Sequence, residues 1–197
     1  AHGFGHGAQT AVVLSALRAR QPDLRLTLLT GLPRRFLHER IPGDFELIDW
    51  RGDFGMRMRS ALEIDPERSA ADYAAFHADW SAQVDATARL LERLAPDLLL
   101  ANIPYLPLAA AARIGLPAVA LCSLNWAGIY RHYFAQRPEA PQILASMEDA
   151  YNGAEAFLCP APSMAMPELR NLQRIGPLAR IGRNVRVEVC GRLGVAA

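Results

Sequence analysis

Asp97-Leu-Leu-Leu-Ala101 and Pro117-Ala-Val-Ala-Leu-Cys-Ser123 are two apolar runs of strand length, and the alanine-rich stretch 106–114 between them has helical composition. A strand that is apolar almost continuously, without polar alternation, is covered on both faces. Two such strands joined by a helix form a crossover unit, which returns the second strand parallel to the first. This stretch therefore predicts an α/β fold with a doubly wound, mostly parallel, Rossmann-like sheet.

The flanking sequence extends the pattern in both directions. Towards the N-terminus, Gly3, Gly5 and Gly7 punctuate a turn, and a helix is expected over 8–20, with Val13, Leu14 and Leu17 on one face. Strands are expected over 24–29 and 45–50, with a helical turn over 33–39 between them. The segment 51–65 carries Gly52, Gly55, several arginines, Met56 and Met58 without a period, and reads as a mobile or ligand-facing loop. Tyr73, Phe76, Trp80, Val84, Thr87, Leu91 and Leu94 recur at spacings of three and four, which predicts one long amphipathic helix ending at Pro96. Towards the C-terminus, helices are expected over 126–134 and 142–151 and a last strand over 156–159. Pro160, Pro162 and Pro167 then open a connecting segment.

The chain has 197 residues, 51% hydrophobic and 21% charged, which suits one globular domain and a short extension. A formal net charge of +1 gives no field that would attract nucleic acid. All the basic side chains are arginine, as codon bias in a high-GC bacterial genome would also produce. Cys122, Cys159 and Cys190 are odd in number and lack metal-ligand spacing, so neither a disulfide framework nor a zinc site is expected, and a reducing cytoplasm fits. The most apolar stretch, 98–122, is broken by Asn102, Pro104, Pro107, Arg113 and Pro117, and does not read as a membrane span.

The glycine-rich opening lies where an open α/β sheet binds ligands, beyond the carboxyl ends of its strands. Gly3, Gly5 and Ala8 satisfy the G-x-G-x-x-A spacing of a dinucleotide site, but Thr30-Gly31, not an acid, ends the second strand, which argues against a nicotinamide cofactor. His6 is the candidate general base, since an imidazole titrates near neutral pH and can take a proton from a hydroxyl. Its alternative reading is a residue that only bonds the helix start. Ser123, Asn125 and Trp126 follow the strand over 117–123 at the same edge, where they could contact an acceptor, or equally serve as helix N-cap and core aromatic. Tyr73, Phe76 and Trp80 read as core, and His38, His77 and His132 as surface or packing residues. No Gly-x-Ser-x-Gly elbow and no Gly-Lys-Ser/Thr phosphate loop occurs, which removes the simplest hydrolase and kinase readings.

His2-Gly-Phe-Gly-His6 before an apolar helix resembles the opening turn of GT-B glycosyltransferases, including the Gly-Gly-His turn of the peptidoglycan N-acetylglucosaminyltransferases, with His6 on the family's histidine. Asp97-Leu-Leu-Leu-Ala-Asn102, Ala109-Ala-Ala-Ala-Arg113-Ile-Gly-Leu-Pro117 and Asn125-Trp-Ala-Gly-Ile-Tyr130 are more closely similar to the glycosyltransferase-like N-terminal half of plant arabinose kinases. Ile175-Gly-Pro177 resembles the exit from the first domain of such enzymes.

The resemblance implies an inverting, metal-independent transfer of a sugar from a nucleotide-sugar donor, without a further cofactor. The acceptor, a small molecule, lipid or glycan, would be held by residues 1–179, and 180–197 would lead to a donor-binding domain beyond them. A first strand before Ala1 is expected likewise. The site would be cytoplasmic, or peripheral to the inner membrane face. The implied acceptor contacts are Gly5, Gln9, Thr10, Ser123, Asn125 and Trp126. Asn102 stands where related plant enzymes place the aspartate that orients the histidine, so Asp53 or Asp65 is a candidate substitute. Two rivals remain: a GT-B-fold sugar-nucleotide epimerase or hydrolase, and a non-catalytic binding domain.

Overall fold

The computed structural model describes residues 3–196; Ala1 and His2 of the opening motif, and Ala197, lie outside the described residues. The elements run α1 (Phe4–Arg20), β1 (Thr27–Leu29), α2 (Arg34–His38), β2 (Glu46–Ile48), α3 (Pro66–Ala78), α4 (Trp80–Leu94), β3 (Leu99–Ala101), α5 (Leu106–Ile114), β4 (Ala118–Leu121), α6 (Trp126–Phe134), α7 (Ala140–Asn152), β5 (Ala156–Pro160), β6 (Leu172–Ile175) and α8 (Arg186–Leu193). The chain is thus an α/β protein, and every strand pair is parallel.

Among the described residues the strands form two hydrogen-bonded sheets, β1-β2 and β3-β4-β5-β6, in place of the single sheet expected. Leu99 lies opposite Ala118, Val119 opposite Ala156, and Phe157 opposite Leu172. The larger hydrophobic cluster joins the four-stranded sheet to α3–α7 and fully buries Tyr73, Tyr105, Tyr130 and Tyr151. A smaller one gathers Ala11 and Leu14 of α1 with Leu32, Leu37, Ile41 and Phe45, and Leu100 of β3 packs against it. Leu100 therefore ties the two sheets together through side-chain packing.

Four features depart from the sequence reading. The helix expected from residue 8 begins at Phe4, so Gly5 and Gly7 are helical and only Gly3, extended at φ −152°, caps it. A Cβ on Gly7 would fall 2.5 Å from Leu32 Cδ1 and 3.0 Å from Phe36, so close packing of α1 overrides the poor helix propensity of glycine. The long helix is two, broken at Asp79 (φ −112°, ψ 33°), although its apolar stripe continues through Tyr73, Val84, Thr87 and Leu91. Strand β6 was not anticipated, because Gln173 and Arg174 are exposed on an edge strand that buries too little to leave an apolar signature. Within 180–197, α8 forms an eight-residue helix that buries none of its residues. Among the described residues no helix is long and apolar enough to cross a membrane.

Candidate functional site

Strands β3 and β4 end at Ala101 and Leu121, so the residues that follow, Asn102 and Cys122, stand at the carboxyl rim of the larger sheet. The first turn of α1 meets this rim. His6, the third residue of α1, places Nδ1 3.1 Å from Asn102 Oδ1 and 3.6 Å from Cys122 Sγ. Two residues 96 positions apart in sequence are thus joined by packing of α1 against β3.

The Asn102 amide is oriented by its nitrogen. Nδ2 donates to Gln9 Oε1 at 2.9 Å and to the His6 carbonyl at 3.4 Å, which turns Oδ1 towards the imidazole. An amide oxygen only accepts, so His6 donates from Nδ1 and its lone pair resides on Nε2. That tautomer is the one a general base requires. Burial pushes the Cys122 thiol up, so it stays protonated beside the ring and supplies no negative charge.

The segment 51–65 forms a strap over this rim, closed by an antiparallel bridge between Met58 and Ile64. Asp53 anchors one end: its Oδ2 accepts from the backbone N–H of Tyr105 at 2.6 Å and of Leu106 at 3.0 Å, at the start of α5. Asp65 anchors the other, capping α3 through Arg68 N at 3.1 Å and pairing with Arg59 at 3.3 Å. The Arg68 amide, followed by Arg59, holds the Asp65 carboxyl below its usual value. Both acids are thus engaged at helix starts, and it is Asn102 that faces Nδ1 of His6.

Between strap and rim lies a cavity of about 620 Å³. It is lined by Gly3 and His6 at the start of α1, by Phe54, Met56, Arg57, Met58 and Ile64 of the strap, and by Trp126, Ile129 and Tyr133 of α6. Gly55 lies flat on the Trp126 indole, where a Cβ would come within 2.5 Å of the ring. The indole and the His6 imidazole have centroids 6.5 Å apart.

Of the six expected acceptor contacts, only Trp126 lines the cavity that His6 lines. Gly5 and Gln9 face a second, 1200 Å³ cavity along the outer side of α1, with Ala8, Ser15, Arg40 and Leu178. The Thr10 hydroxyl donates to the His6 carbonyl at 2.9 Å, within the helix. Ser123 is half-buried just beyond β4 and its carbonyl accepts from Met164. Asn125 is fully buried: its oxygen accepts from Gly128 N at 2.6 Å, capping α6, and its nitrogen donates to Glu168 at 2.8 Å. Ile129 and Tyr133 were missed, although they lie three and seven residues after Trp126 and so share its helix face. Phe54 and Ile64 were covered only by the expectation that 51–65 is a mobile or ligand-facing loop.

Among the described residues no three His, Cys, Asp or Glu side chains gather as a metal site would need. No protein-family model and no curated protein matches the chain.

Proposed function

We propose that this chain is the acceptor-side, doubly wound Rossmann-like domain of an inverting GT-B glycosyltransferase, with His6 as its general base. The observation that carries this reading is the imidazole at the sheet's carboxyl rim, held by Asn102 in the tautomer that accepts at Nε2, and lining a cavity of ligand size. An acceptor hydroxyl directed at Nε2 gives up its proton to the ring as its oxygen attacks the anomeric carbon. The bond from that carbon to the nucleotide's phosphate oxygen breaks, and the nucleotide leaves with the electron pair. The donor is held mainly by a further domain, in keeping with the resemblance of the opening turn and of Ile175-Gly-Pro177 to such enzymes.

His6→Ala in the full-length protein tests the assignment. Loss of a general base is expected to lower transfer about a hundredfold to ten-thousandfold, while donor affinity measured by calorimetry is retained. Wild-type turnover in that variant would remove His6 from the mechanism.

A further inference from the structure

We propose that the cavity beneath the 51–65 strap selects a small, largely apolar acceptor bearing a single reactive hydroxyl, in preference to a glycan; this rests on the glycosyltransferase reading above. Its walls are Phe54, Met56, Met58, Ile64, Ile129 and Tyr133, with Trp126 beneath. Among the described residues lining it there is no carboxylate or amide side chain, and its one cation, Arg57, is engaged by Asp72 while lying 4.5 Å over the Phe54 ring. Asn102 beside His6 is committed to Gln9 and the His6 carbonyl, Asn125 at the start of α6 is committed to Gly128 and Glu168, and Gln9 lines the other cavity.

A sugar brings many hydroxyls, and each one desolvated without a partner weakens binding. Aromatic and thioether walls instead favour a flat or flexible apolar body, the methionines adapting to its shape. An open cavity of about 620 Å³, with Met58 and Ile64 held side by side by their bridge, suits a free molecule of drug-like size. The hydroxyl is then the group left to meet His6, and regiochemistry follows from which end of the molecule reaches the imidazole.

The test gives full-length protein a nucleotide-sugar donor with one of three acceptors: 2-naphthol, methyl glucoside, or a polyprenol in phosphatidylcholine vesicles. The expected result is a higher kcat/KM for 2-naphthol than for either alternative. Tyr133→Asp and Met58→Asp, at positions 47% and 51% exposed and so compatible with folding, are each expected to raise its KM at least tenfold. A preference for methyl glucoside, or for the vesicle-borne polyprenol, overturns the proposal and leaves the glycosyltransferase reading standing. If no acceptor is used, that reading fails and calorimetry decides the cavity's chemistry. Binding of 2-naphthol weakened tenfold by both variants supports an apolar site, and absence of binding refutes it.

Discussion

At the scale of single residues, the contact between His6 and Asn102 fixes a tautomer without altering charge. Asn102→Asp places a carboxylate beside Nδ1, which favours the imidazolium and raises the pKa of the base. The acid limb of the pH–rate profile is therefore expected to move to higher pH by about one unit or more, with Gln9 turning its amide to donate to the new oxygen. A limb that does not move would mean that another group titrates in that profile. Asn125 has a different part to play. Asn125→Ala removes the α6 cap and leaves Glu168, whose side chain is only 9% exposed, with Arg131 at 3.8 Å but without its amide donor, so a loss of about 2 kcal/mol is expected in urea unfolding. The sequence exposed His6 and Asn102 because polar residues beside glycines or after apolar strands stand out. Ile129 and Tyr133 did not stand out, since apolar residues on a helix look the same whether they face a core or a ligand.

Among the elements, helices and strands near the crossover 97–123 were readable because both the apolar runs and the breaking residues Pro96, Gly115 and Pro117 are local. The break at Asp79 was not, because the apolar stripe passes through it and only backbone geometry marks it. The end of α4 holds a similar local feature. Ala95 closes that helix at φ 43°, in the left-handed region that favours glycine. Ala95→Gly is expected to stabilise the protein by about 0.5–1 kcal/mol, read as a raised urea midpoint. An unchanged or lowered midpoint would show that the unfolded-chain entropy of glycine outweighs the relief. The strap is an element by tethering more than by hydrogen-bonded regularity, and its two acids were legible as residues but not as anchors. Tyr105 and Leu106, the partners of Asp53, lie at a helix start that only the folded chain brings near, whereas Asp65 caps a helix three residues away at Arg68, a local bond.

For the whole molecule, His77 makes stability depend on pH. Its ring runs nearly parallel to those of Trp80 and Tyr105, with centroids 5.0 and 5.8 Å away, and Nε2 is 3.1 Å from the Tyr105 hydroxyl. Burial pushes its imidazole down to about 4, against a smaller upward pull from Asp53. The unfolded chain takes up this proton near pH 6.5 and the folded chain only near 4. Stability from this group is therefore complete above pH 6.5 and declines as pH falls towards 4, by about 3 kcal/mol at most. His77→Phe should flatten that part of the stability profile, and an identical slope in the variant would assign the decline to carboxylates instead. The division of the strands into two sheets has a mechanical consequence. The proposed base rides on the smaller cluster and its orienting amide on the larger, so the pair stays together only while both halves stay docked across Leu100. Under the proposed function, mild heating or low urea is expected to silence transfer before circular dichroism registers any melting, with the temperature limit set by that seam and not by the depth of the larger core.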